Sequence, residues 1–311
     1  MLTKENLLLK NYFGMKNKIM NKQEFLNGRI TLYNGDCLEF MENMQDKVDL
    51  VLTDPPYLYL DHKLDKPFDE QKCFELLYNI MAKNSILAFF GRGDSFYKWN
   101  YLTKQIGFDF KEEIIWNKNQ SSTPTLALQR IHETISIKQK GNVCLNKVYI
   151  DYFEYNLEAE KTFEDDLKRL VSFIKNCKTT EELEKWKQGN FNQVRSNKHE
   201  LTSKLQFNKD RAFSTYQIVD RGRQLNSILR INREHYQFIH PTQKPVKLLQ
   251  QLIDLCSQPN DLVFDSFSGS GSTAIACIKT NRRFIGCELD KEYFDLSCKR
   301  IDEELKQGSL L

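Results

Sequence analysis

Eight cysteines, at 37, 73, 144, 177, 256, 277, 287 and 298, include no Cys-x-x-Cys pair, and histidine is scarce at five residues. No zinc ribbon and no thioredoxin-type redox motif is therefore written into this chain, and several of these cysteines fall within apolar patterns and read as reduced, buried thiols. No apolar run approaches the ~18 residues that would cross a bilayer, and no cationic leader with an apolar stretch behind it opens the sequence. The expectation is a cytoplasmic protein with no membrane and no metal. Internal repeats and low-complexity tracts are also absent. Charge is close to balanced, at +3 over 311 residues with a pI near 8.3, so any polyanion must be met by a local patch. The length allows one large domain or a core with an insertion.

Proline is sparse too, with seven in the chain, yet two of them adjoin in Asp54-Pro55-Pro56-Tyr57. This tetrapeptide ends the apolar run Val48-Asp49-Leu50-Val51-Leu52-Thr53, where a buried parallel strand would meet solvent. Asp54 offers an acceptor, the prolines stiffen the backbone, and Tyr57 supplies a flat face for stacking. The set suits an amino group on a planar ring, whose hydrogens the Asp54 carboxylate and the Pro55 carbonyl would accept. A base so held must first leave its duplex, and Tyr57 would replace the lost stacking. The plainer alternative is a strand followed by a proline turn with an incidental acid and aromatic.

The α/β alternation runs along most of the chain. Strands are expected at 29–33, 48–53, 85–90, 112–116 and 132–137, with helices at 37–44, 72–83 and 96–106. From about 141 to 235 it stops, giving way to charged helical segments near 159–176 and 181–187. Between Trp186 and His235, ten Lys/Arg face four Asp/Glu, an excess suited to phosphate contact. An ordinary solvated surface would show a similar imbalance. Arg221, Arg223, Gln224 and Asn226 are candidates for reading base edges.

The alternation resumes after His240-Pro241-Thr242-Gln243-Lys244-Pro245 with a helix at 246–256 and a strand at 262–265. Ser266-Phe267-Ser268-Gly269-Ser270-Gly271-Ser272 then forms a glycine loop before a helix at 273–279, and the strand 283–288 ends in Glu288. Small residues at a helix N-terminus allow close backbone approach to a ligand, and an acid about 20 residues on can accept from ribose hydroxyls. The pattern Phe-x-Gly-x-Gly is not a full G-x-G-x-x-G, which counts against NAD and a Rossmann dehydrogenase.

Taken together, Asp54 to Tyr57, His240 to Pro245 and Asp265 to Ser272 resemble the amino-methyltransferases of DNA, in the order of that family's β group. Asn34-Gly35-Asp36, Trp116-Asn117-Lys118 and His132-Glu133 match as well, so the resemblance spans about residues 29–300. It implies a circularly permuted, Rossmann-like α/β methyltransferase sheet with an inserted target-recognition domain. The implied divisions are an N-terminal extension (1–28), a catalytic half (29–140), the insertion (141–235) and a cofactor-binding half (236–311). The sheet is expected to run from the strand at 262 through 283 to 29 and then 48.

The resemblance also implies S-adenosyl-L-methionine as cofactor, held by Asp36, Asp54, Thr242, Lys244, Asp265, Phe267, Gly269, Gly271, Ser272 and Glu288. Glu288 would hold the ribose, Asp36 the adenine, and Thr242 and Lys244 the methionine end. Asp36 as a helix N-cap, Glu288 as a surface acid and Lys244 as part of a helix-initiating turn are the structural alternatives. Asp54, Pro55, Pro56 and Tyr57 would be catalytic. Duplex DNA is the implied substrate, with a homodimer and a cognate restriction endonuclease as implied partners. Asp rather than Ser at the head of the motif favours adenine N6 over cytosine N4. A DNA-binding regulator of the same fold without transferase activity is the reading from another class, against which the intact Asp-Pro-Pro-Tyr argues. Ser266 departs from the proline common in the family, which bears on loop rigidity.

Overall fold

The structure, a computed structural model, describes residues 21–57, 66–119, 127–152, 160–176, 180–188, 202–233 and 243–308. The chain divides into two compact units, Met1–Asn146 with Ser227–Leu311, and Lys147–Asn226.

The larger unit is built on a nine-stranded sheet. In chain order its elements are β1 (Asn21–Phe25), β2 (Ile30–Asn34), α1 (Cys37–Asn43), β3 (Val48–Thr53), α2 (Glu70–Ile80), β4 (Met81–Gly91), α3 (Gly93–Ile106), β5 (Asp109–Asn117) and β6 (His132–Lys140). The smaller unit intervenes with β7 (Tyr149–Ile150), α4 (Glu160–Asn176), α5 (Thr180–Lys187), α6 (Thr202–Arg221) and β8 (Arg223–Gln224). The sheet then resumes with β9 (Ile228–Arg230), α7 (Val246–Cys256), β10 (Leu262–Asp265), α8 (Ser272–Lys279), β11 (Arg283–Glu288) and α9 (Lys291–Gly308).

Strand order across the sheet is β1-β2-β11-β10-β3-β4-β6-β5-β9. From β2 to β4 neighbours are parallel, and Ile30, Leu32, Leu50, Val51, Ile86, Leu87, Val263 and Phe264 are fully buried along them. Strands covered on both faces need such continuous apolar runs. Helices α1, α2 and α3 share one core with the sheet through Met41, Phe74, Leu77, Trp99, Val51, Phe89 and Phe264. The alternating strand positions, such as Leu50 and Leu52, point to the opposite face, where α7, α8 and α9 pack.

The observed order corrects the expected one. The strand at 48 does not pair with the N-terminal strand at 30; Leu50 and Val51 align with Val263 and Phe264 of β10, while β2 lies outside β11. The connection after β10 carries the chain through α8 to β11 on one side, and that after β3 carries it through α2 to β4 on the other. β10 and β3 therefore flank the point where the winding reverses, and a crevice opens at their carboxyl ends.

Three further differences concern two edge strands and one helix. Asn21–Phe25, inside the segment expected to precede the fold, pairs antiparallel with β2 through a turn at Leu26, Asn27 and Gly28, all with positive φ. Ile228–Arg230, expected within the insertion, adds to β5, so the chain returns to the sheet at Ser227 rather than 236. Both strands are polar or very short, and edge strands carry little apolar periodicity. The third is α6, a 20-residue helix of low amphipathicity that periodicity did not reveal. In the smaller unit α6 packs against α4 and α5, and β7 pairs with β8. Gly222, at φ +86°, lies against the Ile150 carbonyl, where a Cβ would sit 2.3 Å from the oxygen.

Candidate active site

At the carboxyl ends of β10 and β3 lies a cleft of about 1120 Å³ within the larger unit. Asp36, Asp54 to Tyr57, Lys244, Asp265, Phe267, Gly269, Ser272 and Glu288 line it together. Thr242 lies outside the described residues. Gly271 lies off the wall: it caps α8 in the left-handed conformation (φ +74°) and faces α9, where a Cβ would come 3.1 Å from Ser297 Cβ. The insertion candidates Arg221, Arg223, Gln224 and Asn226 are all exposed on the smaller unit, at the end of α6 and around β8.

The loop after β10 is shaped by buried hydrogen bonds. Asp265 accepts from the Phe267 N–H at 3.1 Å and the Thr273 hydroxyl at 2.7 Å, clamping both ends of the turn. Burial pushes its carboxyl up to about 6 against these bonds. Ser266 and Thr53 share a 2.9 Å hydroxyl contact, tying the loop to the end of β3. Arg300 donates from the α9 side to Ser270 O at 3.1 Å and Ser272 Oγ at 2.7 Å. Ser268 Oγ, by contrast, is buried on the cleft wall with no hydrogen-bond partner among the described residues.

Glu288 ends β11 beneath this loop. Its Oε2 accepts from Gly269 N–H and its Oε1 from Asp290 N–H, both at 2.8 Å, so the carboxylate plane is held while outer lone pairs remain. Burial pushes its pKa up to about 7 in spite of both donors. Asp36 caps α1 by accepting from Leu38 N–H at 2.7 Å with Oδ1. Capping and cleft lining thus coexist in one carboxylate, whose Oδ2 is not used by the cap.

The Asp54 side is a charge cluster. Asp54 accepts from the Tyr57 hydroxyl on Oδ1 and from the Lys244 ammonium on Oδ2. Lys244 Nζ also lies 3.3 Å from Glu133 Oε2 and 4.8 Å from the Phe90 ring centre. Glu133 Oε1 in turn meets Lys118 at 2.5 Å and Arg233 at 3.6 Å. Burial raises Asp54, and the Lys244 ammonium beside it does not fully offset this. Glu133 is more fully buried than Asp54 but collects three cations, which hold it down at about 2. Burial also opposes charge on Lys244, yet the two carboxylates keep it above the ordinary lysine range. Lys118, which sequence reading matched only within a motif, and Glu133, for which it offered either a part in shaping the base pocket or a structural place at a strand start, both line the cleft; strands β5 and β6 bring them to it, a pairing no local pattern encodes.

Tyr57 rests against Trp99 at 6.1 Å, and its carbonyl accepts from Ser95 at 2.8 Å, so the ring borders the cleft beside Asp54. The arrangement combines, in one cleft, a carboxylate beside an aromatic face with a glycine loop and a second acid fixed by backbone donors. Among the described residues no group of three or more His, Cys, Asp and Glu side chains forms a metal site.

The chain is similar to known DNA methyltransferases in sequence and in fold. The Type II methyltransferase M2.MboI of Moraxella bovis is 25% identical over 290 residues, covering 88% of this chain and 87% of its own. M.HinfI of Haemophilus influenzae is 24% identical over 310 residues, covering 91% and 70%. In fold, the chain is similar to the M1.HpyAVI–SAM complex, with a TM-score of 0.56 at 21% identity over 88% of this chain and 99% of that one. It is also similar to the cytosine-N4-specific PvuII DNA methyltransferase, with a TM-score of 0.53 at 15% identity over 89% and 92%. A family model described as DNA methylase, N6_N4_Mtase, matches residues 48–299, most of the chain, which therefore belongs to the N6/N4 DNA methylases.

Proposed function

We propose that this chain is a site-specific DNA methyltransferase that modifies adenine N6 of a base flipped from duplex DNA. The observation that carries the reading is the meeting of Asp54 and Tyr57 with the glycine loop and Glu288 in one cleft at the winding reversal. S-adenosyl-L-methionine, when bound, supplies an electrophilic methyl group. The residues fit it: Glu288 offers lone pairs to a ribose, Asp36 a second acceptor, and Ser268 Oγ a buried hydroxyl that lacks a partner among the described residues.

Asp54 accepts the amine hydrogens of the base and orients the nitrogen lone pair. Tyr57 stacks on the ring, replacing the stacking lost on leaving the duplex, and the two prolines keep the strand end rigid. As a positive charge develops on nitrogen, Asp54 stabilises it, and the released proton passes by way of this carboxylate to water. Burial raises Asp54, which makes it a better proton acceptor than an exposed aspartate.

The strand order is consistent with a circular permutation, since β2, from the N-terminal end, completes the sheet beside β11 from the C-terminal end. The smaller unit is the target-recognition domain in this reading, supported by its local cationic excess, with Arg221, Arg223, Gln224 and Asn226 as base-reading candidates. The Type II methyltransferases among its relatives support a role beside a restriction endonuclease.

The test is incubation with unmethylated genomic DNA and S-adenosyl-L-methionine, followed by digestion and mass spectrometry of nucleosides. New N6-methyladenine is expected. N4-methylcytosine would overturn the base assignment, and absence of any mark would overturn the reading.

A further inference from the structure

We propose that Glu133 is a positioning residue for methyl transfer: it draws the Lys244 ammonium off Asp54 when the target base enters. The inference rests on the function proposed above and deepens it. As the structure stands, both Asp54 oxygens are engaged by the protein itself, Oδ1 by the Tyr57 hydroxyl and Oδ2 by Lys244. A carboxylate bound in this way is a weakened acceptor for an incoming amine, and at least one donor must give ground.

The geometry shows where Lys244 goes. Glu133 Oε2 is buried and makes no properly aligned hydrogen bond among the described residues, although the Lys244 ammonium is 3.3 Å away. A shift of about half an ångström would bring the pair to ordinary charge-assisted distance and satisfy that oxygen, and further rotation of the lysine about this new anchor carries the ammonium out of reach of Asp54. Glu133 itself stays put, because Lys118 at 2.5 Å and Arg233 at 3.6 Å hold its other oxygen. The Phe90 ring, 4.8 Å from the ammonium, borders the site without supplying a competing acceptor. Glu133 remains ionised throughout, since its three cations hold it down at about 2 in spite of burial.

The electrostatic consequence favours transfer. With Lys244 on Asp54, the carboxylate charge is neutralised where the amine nitrogen must become positive. With Lys244 on Glu133, the Asp54 charge faces that nitrogen, and the donor arrangement already exists before reaction. Glu133 touches neither base nor cofactor in this account and acts through Lys244.

The experiment compares wild type, Glu133→Gln, Lys244→Met and the double variant in single-turnover methylation of unmethylated DNA, with S-adenosyl-L-methionine affinity measured in parallel. Glu133→Gln should slow transfer by about tenfold to 100-fold, in the range expected for a misplaced reacting group. Cofactor affinity should stay within about twofold, because Glu133, although it lines the same cleft, makes its ion pairs with Lys118, Arg233 and Lys244 and not with Asp36, Glu288 or the glycine loop. The double variant should be no slower than Glu133→Gln, since the two residues act as one unit. Glu133→Asp, which keeps the charge, should recover part of the rate and serves if the Gln variant does not fold. Losses that multiply in the double variant, or a changed cofactor affinity with an unchanged rate, would overturn the proposal. A wild type that methylates no DNA would overturn the functional reading and this one together, an outcome distinct from either.

Discussion

Lowering the pH from 8 to 5.5 should loosen S-adenosyl-L-methionine binding through Glu288. Burial pushes this carboxyl from an ordinary 4.5 up to about 7, and the Gly269 and Asp290 N–H groups only partly offset that shift. In the role proposed for Glu288, accepting from two ribose hydroxyls favours the ionised form, so binding would be coupled to loss of the proton. At pH 5.5 a group of pKa about 7 is ionised in roughly 3% of molecules, and apparent affinity should fall by about 30-fold from its plateau. Folding carries the opposite sign. A carboxyl raised in the native state binds more protons there than unfolded, so its stabilising contribution is complete below 4.5 and is lost as pH rises through about 7. That contribution amounts to about 3 kcal/mol for a shift of this size in a group 9% exposed. Calorimetric titration and thermal melts of wild type and Glu288→Gln, at both pH values, separate this group from Asp265, which titrates nearby. The Gln variant should bind more weakly at pH 8, with a flatter pH profile and a smaller pH-dependent change in melting. An identical pH profile in wild type and variant would refute the reasoning.

Asp54→Asn should remove at least about 99% of turnover, the scale of losing one preorganised electrostatic group, while cofactor binding persists; near-normal turnover would take Asp54 out of the mechanism. Gly271→Ala forces a side chain into the left-handed region and against Ser297, and should destabilise the fold by about 1–2 kcal/mol, read from urea unfolding. An unchanged midpoint would show that α9 yields freely. Arg221→Ala and Arg223→Ala substitutions, as losses of base-edge readers, should each cost about 1–3 kcal/mol of affinity for the cognate site and relax its sequence preference, read from binding to cognate and substituted duplexes. An unchanged preference would assign base reading to other residues.

Some of this protein was legible in one dimension. Asp54-Pro55-Pro56-Tyr57 after Thr53, the glycine loop after Asp265 and the acid at the end of 283–288 are local patterns, and local sterics and burial are enough to form them. The buried parallel strands announced themselves by their apolar runs, and the family resemblance joined the separated motifs into one expectation. The edge strands β1 and β9 and the helix α6 were not legible, since polar edges and weak amphipathicity leave no period to read.

Strand order lay beyond the sequence altogether. Apolar runs at 29, 48, 262 and 283 are nearly interchangeable as strands, and only side-chain packing between the layers decided that β3 lies against β10 while β2 lies beyond β11. That choice puts the winding reversal beside Asp54 and Asp265 and so makes the cleft. The sharing of Lys244 between Asp54 and Glu133 is likewise tertiary, joining residues 54, 133 and 244 from three distant stretches of chain. The sequence by itself determined which chemical groups are present and the rigid turns that carry them. The fold alone determined which acid meets which cation, because electrostatic partnership depends on distance in space rather than along the chain.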